Sequence, residues 1–132
     1  MDETKKSSVL IVDDETSNLK ILTHILSSEY AVYTAKDGPT ALEIAKKYAP
    51  DLILLDVIMP EMSGCEVFSA LKACDKTSKI PVIIVTGLDA SEDKAKELLL
   101  EAEDYINKPF SADIVRSTVR GLTQTENNGN MS

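Results

Sequence analysis

Five polar residues share one kind of position, at or just after the end of a short apolar run, and they are Asp13, Asp14, Asp56, Thr86 and Lys108. The carboxyl ends of parallel strands meet at one edge of a sheet, where ligands bind. If the apolar runs are strands of one parallel sheet, three carboxylates, a hydroxyl and an ammonium group converge there from four separate places in the sequence.

These residue types together suit one chemistry. Carboxylates held close together repel one another unless a cation lies among them. Oxygen ligands with room for water suit Mg²⁺. A carboxylate beside the metal can attack phosphorus and form an acyl phosphate, while the metal and a lysine neutralise the charge on the transferred group. Asp56, which directly follows an unbroken apolar run, is the candidate nucleophile.

Each residue taken alone has a simpler structural role. Acidic residues such as Glu15 often lie at helix N-termini, where they complement the helix dipole. A threonine after a strand is commonly a turn or capping residue, and a single lysine is usually a solvated surface charge. The joint placement of all five residues favours the functional interpretation.

The elements that must position these residues alternate along the chain. Residues 9–12, 52–55 and 82–85 are continuous apolar runs typical of strands buried on both faces of a parallel sheet. Residues 30–35 and 104–106 are weaker strand candidates, expected nearer the sheet edges.

Five helical patterns alternate with the runs. The first begins after Asn18 and the second at Pro39. The third spans 65–73, the fourth spans 91–100, and the fifth runs from Ser111 to about Gly121. Five β–α units in series predict an open α/β sandwich with a parallel sheet and helices on both faces. We expect a single domain at residues 8–122, with a flexible start at 1–7 and a flexible tail or the start of a linker at 123–132.

Composition narrows the function classes. The 132 residues carry 22 Asp and Glu against 14 Lys and Arg, a net charge of -8, which disfavours nucleic-acid and membrane-surface binding. No apolar run is long enough to span a bilayer. Cys65 and Cys74 are nine positions apart with no cluster of metal ligands, so reduced thiols and a cytoplasmic location are expected.

The sequence resembles the receiver domains of bacterial response regulators over residues 8–122. The segments that carry the resemblance are 9–15, 50–56, Met59-Pro60, Ser63-Gly64, 81–86 and 104–110. It implies a flavodoxin-like, doubly wound (βα)5 sandwich with a five-stranded parallel sheet in the order 2-1-3-4-5.

The resemblance also implies a metal and acceptor site. Asp56 matches the phosphoacceptor and a metal ligand. Asp14 matches a direct Mg²⁺ ligand, and Asp13 matches a residue that acts mainly through coordinated water. The backbone carbonyl of Ile58 matches a further oxygen ligand.

Four further positions match the family's switch apparatus. Thr86 matches the hydroxyl that moves towards the phosphoryl group, and Tyr105 the aromatic ring that changes orientation on activation. Lys108 matches the phosphate-binding lysine, with a cis peptide bond between Lys108 and Pro109.

The function so implied is that of a phosphoacceptor in a two-component phosphorelay. The donor is a phosphohistidine on a sensor histidine kinase or a histidine phosphotransfer protein. Phosphorylation switches the face formed by the fourth helix, fifth strand and fifth helix. The switched face then controls an output domain or a partner, or it forms a homodimer. We expect the chain to catalyse its own phosphorylation and, because Ile58 and Leu88 are apolar, only slow dephosphorylation. The fifth-helix sequence favours a receiver excised from a longer protein over a complete one.

Three alternatives belong to other classes. A metal-dependent aspartyl phosphohydrolase on a similar scaffold usually has a second aspartate two residues after the nucleophile, where this chain has Ile58. A flavodoxin-like electron carrier needs a phosphate-binding loop rich in Ser, Thr and Gly where this chain has acidic residues. A degenerate receiver that only binds partners is disfavoured because all five functional positions are filled.

Overall fold

The apolar runs form five strands of one parallel sheet, and these are β1 (Ser8–Val12), β2 (Ala31–Ala35), β3 (Leu52–Asp56), β4 (Val82–Thr86) and β5 (Asp104–Asn107). The structure, a computed structural model, describes residues 7–56, 64–86, 104–107 and 111–128. The strand order is β2-β1-β3-β4-β5 and every pairing is parallel. The predicted α/β fold and strand order are therefore confirmed, and the two weaker strands form the sheet edges.

Alternation along the strands divides the core into two layers, one on each face of the sheet. Among the strand residues, one layer contains Leu10, Val12, Ile53, Leu55, Val82 and Ile84. The other layer contains Val9, Ile11, Leu52, Leu54, Ile83, Val85 and Ile106. Because successive side chains point to opposite faces and helices cover both, the central strands read as unbroken apolar runs.

The described helices are α1 (Thr16–Leu26), α2 (Gly38–Tyr48), α3 (Gly64–Ala73) and the C-terminal helix (Ala112–Asn128). Helices α2 and α3 agree with the prediction, whereas α1 begins two residues before Asn18 rather than after it. The helix predicted at residues 91–100 lies outside the described residues. No described helix has the length and apolar character needed to cross a membrane.

The predicted end of the C-terminal helix near Gly121 is wrong, because the helix continues to Asn128. Glycine lowers helix propensity by about 1 kcal/mol relative to alanine, which is why the sequence indicates an end there. Contacts distant in sequence oppose that local preference, because Val119 and Leu122, on either side of Gly121, pack against one core layer. Arg120 pairs with Glu29 through two hydrogen bonds of 3.1 and 2.8 Å, and the hydroxyl groups of Tyr30 and Thr123 lie 3.4 Å apart.

The end of β2 supports the end of β1, because the carbonyl of Ala35 accepts a 3.1 Å hydrogen bond from the backbone N–H of Asp13. Asp37 closes the turn from β2 to α2 as the N-cap of α2, where its carboxylate accepts a 2.8 Å bond from the Thr40 backbone N–H. That bond holds the pKa of Asp37 below its usual value. Pro39 lies in the first turn of α2, as predicted.

We predict that Asp37→Ala lowers the thermal midpoint by a few degrees at pH 7, because it removes the cap. Since the folded-state pKa is depressed, the cap's contribution is full above the ordinary aspartate pKa and is lost as the pH falls below about 4. Thermal unfolding followed by circular dichroism at several pH values measures the difference. Asp37→Asn, which keeps an acceptor, is the control, and a penalty that stays constant down to pH 3 would contradict the assignment.

Candidate functional site

Two buried aspartates lie side by side where β1 and β3 end. The strands pair in register, with Val12 opposite Leu55, so the next residues, Asp13 and Asp56, are neighbours. Carboxylate oxygens of Asp13, Asp14 and Asp56 all lie within 4.8 Å of one another. The structure therefore brings together the three carboxylates that the sequence predicted to converge.

The three carboxylates differ in their access to solvent. Asp13 is 1% exposed and Asp56 is 3% exposed, whereas Asp14 is the more accessible of the three. Asp56 is the last residue of β3 and, by alternation, shares a sheet face with Leu52 and Leu54. Burying two carboxylates away from water raises the free energy of the folded state unless charged or hydrogen-bonding partners compensate for the lost hydration.

The Asp13 carboxylate is held by the first turn of α1. Its Oδ1 accepts a 2.9 Å bond from the Glu15 backbone N–H, and its Oδ2 accepts a 3.1 Å bond from Nδ2 of Asn18. The sequence prediction placed Asn18 ahead of the helix and gave it no role. The available signal was its spacing, three residues after the N-cap Glu15, where a side chain can reach back past the helix start.

The backbone of β4 carries one other predicted residue, Thr86, to this edge. Asp56 pairs with Val85, so Thr86 is the next residue along β4, and Thr86 pairs with Asn107, which precedes Lys108 in the chain. Tyr105 belongs to β5. The side chains of Thr86 and Tyr105 lie outside the described part of the structure.

Ile58, Lys108 and Pro109 also fall outside the described residues, together with the predicted cis peptide bond. The roles of these three residues, and those of Thr86 and Tyr105, stay predictions.

The donor set fits a hard divalent cation. All three groups offer oxygen, and Mg²⁺ binds oxygen at about 2.0–2.1 Å, so opposite ligands of one ion lie about 4 Å apart. The spread of 4.8 Å is close to that width. Among the described residues, this is the one group of three or more His, Cys, Asp or Glu side chains close enough to hold a metal ion. We find that the residues present suit Mg²⁺.

Comparison with known proteins gives a consistent result. A family model described as the response regulator receiver domain matches residues 9–120. A probable cyclic di-GMP phosphodiesterase of Vibrio cholerae is 39% identical over 126 residues, which cover 96% of this chain and 29% of that protein. Response regulator PleD of Caulobacter vibrioides is 43% identical over 117 residues, which cover 88% of this chain and 26% of that protein. The chain thus spans little more than a quarter of these two relatives.

Solved structures agree in fold. The chemotaxis protein CheY4 of Vibrio cholerae superposes with a TM-score of 0.81 at 31% identity, covering 89% of this chain and 98% of that chain. The signal receiver domain of a signal transduction histidine kinase from Syntrophus aciditrophicus gives 0.79 at 34% identity, covering 88% and 89%.

The close approach of the three carboxylates predicts that Asp56→Asn stabilises the metal-free protein. The substitution keeps the size of the side chain and removes one of three mutually repelling charges, a gain on the order of 1 kcal/mol. Urea unfolding in the presence of a chelator measures the free energy of unfolding.

Asp51→Asn is the matched control, because Asp51 lies just ahead of β3, at the end of the strand far from the cluster, and its Oδ2 accepts a bond from the Ser8 backbone N–H. A gain in stability for Asp51→Asn equal to that of Asp56→Asn, or a loss for Asp56→Asn, would contradict the repulsion argument.

Proposed function

This chain belongs to the response regulator receiver domains, the phosphoacceptors of two-component signalling, and we propose that Asp56 is the residue that accepts the phosphoryl group. The observation that carries the proposal is the position of the Asp56 carboxylate. It is 3% exposed at the end of a central strand and lies within 4.8 Å of two other carboxylates. The family match leaves the phosphohydrolase alternative without support.

In the proposed reaction, a carboxylate oxygen of Asp56 attacks the phosphorus of a phosphohistidine. The new O–P bond forms as the P–N bond breaks, and the imidazole nitrogen of the donor keeps the electron pair. The product is an acyl phosphate on Asp56. The low exposure of Asp56 favours this chemistry, because a carboxylate with few water contacts loses little hydration when it attacks.

Three aspartates and one backbone carbonyl would hold Mg²⁺. We assign direct contact to Asp14 and Asp56, contact through water to Asp13, and a fourth oxygen to the carbonyl of Ile58. Hydrogen bonds already occupy both oxygens of Asp13, which supports its indirect role. When bound, the ion offsets the charge of the carboxylates and of the phosphoryl oxygens.

Two residues would respond to the phosphoryl group once it is attached. The Thr86 hydroxyl would donate a hydrogen bond to a phosphoryl oxygen, and the Lys108 ammonium group would form an ion pair with another. Their support is the strand register. It brings Thr86 to the strand end beside Asp56, and it pairs Thr86 with Asn107, which precedes Lys108 in the chain. Reorientation of Tyr105 would pass the change to the face formed by the helix predicted at residues 91–100, by β5 and by the C-terminal helix.

Receiver domains work with histidine kinases and output domains, and the relatives of this chain include both a histidine kinase and transcriptional regulators. We propose that a sensor histidine kinase or a histidine phosphotransfer protein is the donor, and that the switched face controls an output domain or forms a homodimer. The reaction is proposed to take place in the cytoplasm. The chain is a signalling domain that promotes its own phosphorylation and slow dephosphorylation.

We predict that acetyl phosphate and Mg²⁺ add one phosphoryl group to the wild-type chain and none to Asp56→Asn, because the amide is not a nucleophile towards phosphorus. Intact-mass spectrometry measures the increase. Asp51→Asn keeps Asp56 and should be labelled like the wild type. Labelling of Asp56→Asn would move the acceptor elsewhere.

A slow loss of phosphate is expected from the residues that match the family positions flanking the line of water attack. These are Ile58 and Leu88, and neither side chain can orient a water molecule by hydrogen bonding. We predict that the phosphorylated wild type persists for hours. Replacing both residues, Ile58→Asn with Leu88→Glu, should accelerate decay about a hundredfold, since a positioned polar group contributes at least about that factor. The timed loss of the added mass measures the rate, and decay of the wild type within seconds would refute the idea.

A further inference from the structure

The side chain of Asn18 bridges two carboxylates beside the proposed metal site. Its Nδ2 donates a 3.1 Å hydrogen bond to Oδ2 of Asp13 and a 2.9 Å hydrogen bond to Oε1 of Glu15. Ionised carboxylates only accept hydrogen bonds, so the NH₂ group, and not the amide oxygen, must face them. The two N–H groups of one amide are therefore used on two acidic side chains.

The bridge fixes the orientation of the Asp13 carboxylate. Oδ2 is held by Asn18, while Oδ1 is held by the backbone N–H of Glu15 at 2.9 Å. With both oxygens bonded to the start of α1, rotation of the Asp13 carboxylate requires the loss of at least one hydrogen bond. A charge-assisted bond of this kind is stronger than a bond between neutral groups.

The position of Asn18 in the helix makes this contact dependent on the fold of the first turn. Asn18 is the third residue of α1, and the N-cap Glu15 makes no side-chain hydrogen bond to the helix backbone. The Asn18 side chain reaches back past the N-cap to the end of β1 instead of capping the helix. The side-chain amide of Asn18 thus connects the start of α1 to Asp13 of the proposed metal site.

We propose that Asn18 is a positioning residue for Mg²⁺ binding, a proposal that rests on the function assigned above. By holding the Asp13 carboxylate in one orientation, the amide raises the affinity of the three-aspartate site for the ion. Hydrogen-bond partners of residues around a metal commonly change affinity by about 10–100-fold when they are removed. Asn18 needs no contact with the metal for this effect.

The test is a calorimetric titration of the whole chain with Mg²⁺. Asn18→Ala should raise the dissociation constant about tenfold or more. Ser17→Ala is the matched control, because Ser17 is an exposed neighbour in the same helical turn, and its dissociation constant should stay within about twofold of the wild type. Asp14→Ala should lose most of the binding and marks the effect of removing a ligand.

A purely structural role for Asn18 gives a different pattern. In that case Asn18→Ala lowers the thermal midpoint without metal and leaves the Mg²⁺ dissociation constant unchanged, which would overturn the proposal. Asn18→Leu, which keeps side-chain volume without a donor, should weaken binding as Asn18→Ala does, and provides the test if the alanine variant does not fold. If the wild type itself fails to bind Mg²⁺, the assigned metal site fails together with this inference. Unchanged affinity in the two Asn18 variants rejects only the positioning role.

Discussion

Mutual repulsion of carboxylates at the ends of two adjacent parallel strands is the constraint on which the rest of this structure depends. Asp13 and Asp56 follow paired residues of β1 and β3, so the backbone ladder fixes the distance between their backbones. The Asp13 carboxylate cannot rotate away without losing a hydrogen bond to Glu15 or Asn18. The arrangement is tolerated because compensating groups, such as the Asn18 amide and the Glu15 backbone N–H, surround it.

The two core layers supply the rigidity that this constraint requires. Strands β1 and β3 have neighbours on both sides and apolar contacts on both faces, and residues 52–55 are fully buried. Burying this apolar surface provides the free energy that offsets the electrostatic cost at the strand ends. The site is therefore located at the ends of strands that resist deformation, while the start of α1 beside it, at residues 15–17, is exposed.

The sequence predicted those features that depend on repeated local patterns. Unbroken apolar runs gave the buried strands, and their shared direction in a parallel sheet gave the convergence of the three aspartates. The order of the strands came from family resemblance, because the hydrophobic pattern alone does not decide which strands become neighbours. The contact of Asn18 with Asp13 was missed because it depends on the exact turn between β1 and α1. The continuation of the C-terminal helix past Gly121 was missed because the contacts made there, such as that of Thr123 with Tyr30, join residues 93 apart in sequence.

The contact between Arg120 and Glu29 has a mechanical consequence. Arg120 stands midway along the C-terminal helix, which rises about 1.5 Å per residue, so about 12 Å of helix extends to each side. The exposed ion pair alone contributes little stability, but buried Val115 and Val119, with Ala112 and Leu122, pack against one core layer. The helix is therefore held from its first residue to a point just past its centre. Its first turn cannot move alone, so a displacement there would carry the whole packed length, and with it the contact between Arg120 and Glu29.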